Sequence, residues 1–149
     1  MGGYPGGVPE LTLETANHLT DAAFAYARQH GWRIAVAVLD AGGHVVRVSR
    51  MDGCNFLSPD IARGKAYGAV AWKLPSAELG TRFGGNAAAA AGMVGISGQR
   101  IVPVQGALPI WDGAHIVGAI GVSGARSNED EDAARHAINA AGLADHPDA

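Results

Sequence analysis

The chain of 149 residues carries a single cysteine, Cys54, so it can form no internal disulfide and offers no CxxC metal pair. A lone thiol fits a cytoplasmic setting. Aromatic residues are scarce at 6%, and charged residues make up 17%, against 48% apolar residues. That balance belongs to a globular domain and excludes a disordered one. The net charge of −3 gives no electrostatic case for nucleic acid or an anionic membrane surface. There is no apolar run of about 18 residues, so no spanning helix is expected. The opening MGGYPGGVP lacks the basic and apolar regions of a signal peptide. None of the six histidines falls in an HxxxH, HxH or HExxH pattern, which argues against a dedicated zinc site.

Small residues are plentiful instead, 22 of them glycine, and they predict close packing of helices and strands. The length suits one domain, placed at residues 11–142, between loose tails at 1–10 and 143–149. Ile34 to Asp40 is an unbroken, largely β-branched apolar run and reads as a strand covered on both faces. Val45 to Met51 alternates and reads as its antiparallel partner. Val46, Val48 and Arg50 then share one face, and Val45, Arg47, Ser49 and Met51 the other. Gly42 and Gly43 supply the positive φ of the turn between them, and this hairpin is expected at the centre of the sheet.

Before the hairpin, Thr12 caps a helix from about Leu13 to His30 that Gly31 ends, with an apolar stripe through Leu13, Ala16, Ala23 and Ala27. After it, Ser58-Pro59-Asp60 reads as cap, first helical proline and first-turn acid of a helix that Pro75 stops. A short helix from Ser76 to about Gly84 and another on the run Ala87–Ala91 come next. Residues 92–106 read as loop with a short strand at Arg100–Val102. A second hairpin follows, Leu108–Trp111 and His115–Gly124, then a helix capped at Ser127 and stopped by Gly142. Hairpins without βαβ crossovers predict an α+β domain, an antiparallel sheet with helices packed on it.

Four stretches in order carry a family resemblance: Asp40-Ala41-Gly42-Gly43-His44, Arg50-Met51-Asp52-Gly53, Ser58 to Ala66, and Pro109-Ile110 ahead of Gly118–Gly124. Together they resemble the GlcG/HbpS family of heme-binding or heme-degrading proteins, a module found also as the C-terminal domain of PduO-type corrinoid adenosyltransferases. The similarity runs from about Leu11 to Ala141. It implies a profilin-like arrangement, a homo-oligomer of six or eight subunits, and heme as candidate cofactor. The chain departs from the family pattern at Gln105-Gly106-Ala107-Leu108 and in the alanine-rich segment after Phe83-Gly84-Gly85-Asn86.

Arg50 and Asp52 at a strand exit and Lys65 in the following helix are expected near one another. Arg50 and Lys65 would meet carboxylates, and Asp52 or Asp60 would move a proton. The bland alternative is an Arg50–Asp52 pair that only closes the loop. Gly121 and Ser123 can offer an anion backbone N–H groups and a hydroxyl, or simply let the last helix pack closely. Phe83 is a candidate for stacking on a planar ligand. His18, one helical turn after Glu14, is the candidate axial ligand for heme iron. Two functions follow. One is a protein that binds heme or another planar, carboxylate-bearing small molecule. The other is a cofactor-independent isomerase, decarboxylase or hydrolase acting on a small organic acid in a catabolic pathway.

Overall fold

The computed structural model describes residues 7–149, so residues 1–6 of the expected N-terminal tail lie outside it. The elements are α1 (Leu13–His30), β1 (Ala35–Asp40), β2 (Val45–Arg50), α2 (Ser58–Trp72), α3 (Ser76–Gly84), α4 (Ala87–Ile96), β3 (Ala107–Asp112), β4 (His115–Ser123) and α5 (Ser127–Ala140). The strands form one antiparallel sheet in the order β2-β1-β4-β3. The mixed α/β class read from the sequence is therefore correct.

The central pair is β1 with β4, in register from Ala35 opposite Ser123 to Asp40 opposite Gly118. The β1–β2 hairpin, expected in the middle, instead ends the sheet with β2 at its edge. The composition explains this. β1 has no polar residue before Asp40 and is buried from Ala35 to Leu39, whereas β2 carries Arg47, Ser49 and Arg50 and leaves Val45 and Val48 exposed. A register shift between Val38 and Leu39 leaves Val46 without a partner and breaks the simple alternation. Arg47 therefore turns toward α1, where its guanidinium donates to Asn17 Oδ1 at 2.7 Å.

At the hairpin turn only Gly43 has positive φ, at 82°. The Asp40 carboxylate does the rest, accepting from the N–H groups of Gly42 and His44 at 3.0 and 2.9 Å.

Two helices cover one face of the sheet and α2 covers the other. Ala16, Leu19, Ala23 and Ala27 of α1 and Ala133, Ala134, Ala137 and Ile138 of α5 pack on Val36, Val38, Ile120 and Val122. Ala66, Ala69 and Val70 of α2 pack on Leu39 and Ala119. The caps of α1 are as expected, with Thr12 Oγ1 accepting from Thr15 N and Gly31 closing the helix, but the stripe centres on Leu19 and leaves Leu13 exposed.

Three further local readings change. The alanine-run helix continues to Ile96, because nothing from Gly92 to Gly95 interrupts it. No strand forms at Arg100–Val102; that segment lies on α2 instead, with Val102 N–H donating to Gly64 O at 3.1 Å. Residues 143–149 are not a loose tail. Ala144 pairs with Trp111 through two backbone bonds of 2.7 and 3.1 Å, which closes the outer edge of β3.

Candidate functional site

The charges expected to converge do not. Lys65 is 3% exposed. Its ammonium donates to Asp130 Oδ2 and to Val122 O, both at 3.1 Å, so it crosses from α2 to the end of β4 and the start of α5. Arg50 is exposed at the end of the edge strand, and among the described residues it shares no ion pair with Asp52. Arg33 holds that loop instead, its Nη1 donating to the backbone carbonyl of Asp52 at 3.0 Å. The reading of Arg50 and Lys65 as joint carboxylate ligands is thereby corrected, because Lys65 is buried and already paired. Asp52 and Asp60 are both exposed, and Asp60 stands in the first turn of α2, where the dipole favours an acid.

Gly121 also has a different use. A side chain there would overlap the carbonyl oxygen of Ala62 on α2, so the glycine lets that helix lie directly on β4 and leaves no room for an anion. The helix admitted is α2, not the last helix. Ser123 is buried at the end of β4 opposite Ala35. Phe83 meets Trp72 edge-on, with ring centroids 5.6 Å apart, and is half-buried by that contact.

Asp130, three residues after the expected cap Ser127, is the residue that sequence reasoning missed. Its Oδ1 accepts from Ala125 N–H at 3.0 Å, while Glu129 supplies the carboxylate that reaches back to Arg126 N–H at 3.1 Å. Nothing in the local pattern links Asp130 to a lysine 65 positions earlier. Burial pushes the Asp130 carboxyl above its ordinary 3.8, against the opposing pull of the Lys65 charge and the hydrogen bonds from Ala125 and Lys65.

His18 is placed differently. It is exposed on α1 and lines a cavity of about 420 Å³ together with the segment Gly7–Glu10, the first turns of α1, Asp112 and Ala141. This volume lies within the range of small-molecule sites. Among the described residues the imidazole is the one side-chain nitrogen ligand in the lining, beside the carboxylates of Glu10, Glu14 and Asp112. Among the described residues no cluster of three or more His, Cys, Asp or Glu could hold a metal ion, so a metal here would need ligands of its own, as a macrocycle supplies. Cys54 is buried and unpaired, away from this lining.

Comparison with known proteins fits this architecture. The family model described as haem degrading protein HbpS-like matches residues 11–139. The chain belongs to the HbpS-like family. It is 30% identical over 132 residues to a 15.0 kDa protein of the dhaT–dhaS intergenic region of Citrobacter freundii, covering 89% of this chain and 92% of that one. It is 29% identical to the corrinoid adenosyltransferase PduO of Salmonella typhimurium, over 91% of this chain but 40% of PduO. Among solved structures, a PduOC–heme complex superimposes with a TM-score of 0.84 at 29% identity, covering 93% of this chain and 99% of that one. HbpS superimposes with a TM-score of 0.78 at 31% identity, covering 93% and 95%. No helix among the described residues of this HbpS-like chain is long and apolar enough to cross a membrane.

The buried pair yields a stability prediction. Lys65→Met strands the Asp130 carboxylate and costs about 3–5 kcal/mol in urea unfolding at neutral pH. Burial raises the folded carboxyl above 3.8, so from 3.8 up to that raised value Asp130 keeps its proton more readily in the folded state than in the unfolded chain. Its contribution to stability therefore falls as pH rises through the folded value, and falls further in Lys65→Met, where that value is higher still. The cost of the variant should accordingly shrink on acidification. The double variant Lys65→Met/Asp130→Leu should regain most of the loss at neutral pH.

Proposed function

We propose that this protein binds heme, with the His18 imidazole as an axial ligand of the iron. The observation that carries the reading is the exposed imidazole on the wall of the cavity beneath Gly7–Glu10. Bound heme would supply an iron centre whose axial position accepts an imidazole nitrogen. Val8, Pro9 and Ala141 offer apolar surface to the macrocycle, and Thr12 and Thr15 offer hydroxyls at its edge. The heme complex of the PduOC relative and the HbpS-like family description support the same ligand class. The enzyme reading loses its support, because Lys65, the cation expected to hold the organic acid, is buried and paired with Asp130.

The working form is a homo-oligomer, of the six or eight copies that the family resemblance implies, acting in the cytoplasm where Cys54 stays reduced. The support lies in α4. Its ten residues, AAAAAGMVGI, contain no charge, and none of them is buried. Ile96 projects from its end at 91% exposure, and Ala90, Ala91, Val94 and Gly95 line an apolar hollow on the same helix. A knob and a hollow on one element suit a second copy related by a twofold axis.

Two experiments test these readings. Hemin titrated into the purified protein should give a saturable shift of the Soret band that His18→Ala abolishes or moves. A weak, non-saturating change, equal to that of an unrelated control protein, would contradict the assignment. Ile96→Glu should reduce the oligomer to smaller species by light scattering while the circular dichroism spectrum is kept; an unchanged mass would remove α4 from the interface.

A further inference from the structure

The lining of the His18 cavity is charged with one sign only. Glu10, Glu14 and Asp112 face it, and among the described residues no lysine or arginine does. Among the described residues none of these three carboxylates takes part in an ion pair. Arg47 is spent on Asn17 and Ser49 on the adjoining face of α1. The positive end of the α1 dipole adds a partial charge of about one half at the first turn, which offsets only part of three carboxylates. Glu14 is the best placed of the three, because positions four apart on a helix share a face, and it stands one turn before His18 on the same exposed surface.

From this arrangement we propose that Glu14, with Asp112 behind it, makes the site selective for the oxidised ligand, ferric over ferrous heme. The inference rests on the heme reading above. The core of ferric heme, an iron(III) ion in a porphyrin dianion, carries a net positive charge, whereas the ferrous core is neutral. An uncompensated carboxylate beside the axial imidazole stabilises the ferric core relative to the ferrous one, while its repulsion of the two propionates is common to both states. A carboxylate on the neighbouring turn can also accept from the ring N–H that faces away from the iron, which raises the basicity of the imidazole and favours the ferric state in the same direction. The reduction potential of the bound heme is lowered in proportion, since the ratio of the two affinities fixes it.

The test is the midpoint potential of heme-loaded protein, measured spectroelectrochemically at low salt, with the ferric and ferrous dissociation constants measured alongside. Glu14→Gln should reduce the preference for ferric over ferrous heme about fivefold, the effect of one unit charge in a half-solvated site. That corresponds to a rise of about 40 mV for a one-electron couple. Asp112→Asn should shift the potential in the same direction. Glu78→Gln, at a carboxylate paired with Arg82 on α3, should leave it unchanged. The difference between Glu14→Gln and the parent should shrink as salt is raised. A Soret spectrum kept in Glu14→Gln together with an unchanged midpoint would overturn the role of Glu14 while leaving His18 ligation intact. Failure of the parent protein to bind heme would overturn both.

Discussion

The contact between α2 and the bare backbone of β4 at Gly121 governs the rest of the architecture. With no side chain at that position, the carbonyl of Ala62 rests on the strand, and the helix lies closer to the sheet than any side chain there would allow. Lys65, one turn further along α2, is then carried past the edge of the core to the point where β4 ends and α5 begins. Gly106 is bare there for the same reason, because a side chain would collide with the lysine ammonium and with Val122 O. Asp130 and the Val122 carbonyl receive the charge, so the far layer is tied to the near one through the sheet end. A buried pair of this kind contributes little net stability, yet breaking it is costly, and it fixes where α5 starts.

That tie divides the molecule by task. The end of the sheet near Lys65 is filled and satisfied; among the described residues no buried side-chain polar atom lacks a partner. The His18 cavity lies on the other side of α1, bounded by the chain ahead of the helix and by Asp112 at the end of β3. It is open and acidic, and the one imidazole in it has no structural duty. The proposed heme site accordingly uses a helix face and the segment ahead of it, while the glycine-rich strand serves packing.

Much of this was legible in the residues. The hairpin turn, the caps of α1 and the burial of β1 from Ala35 to Leu39 follow from Asp40, Gly43, Thr12, Gly31 and an unbroken apolar run, all of them local signals. The family resemblance rested on the same stretches. What stayed hidden was long-range. The central pairing of β1 with β4 depends on which strand buries both faces, and the edge position of β2 follows only once its polar residues are weighed against its valines. The Lys65–Asp130 pair links residues whose local contexts each have an ordinary explanation. The continuation of α4 to Ile96 was obscured because its glycines read as breakers, and a helix with no buried residue leaves no amphipathic period to detect.

The crystal structure of the protein grown with hemin tests the central claim most directly. The account predicts iron bonded to the His18 imidazole, with the macrocycle against Val8, Pro9 and Ala141. Heme seated instead at Arg50 and Phe83, or iron held by any residue other than His18, would contradict it.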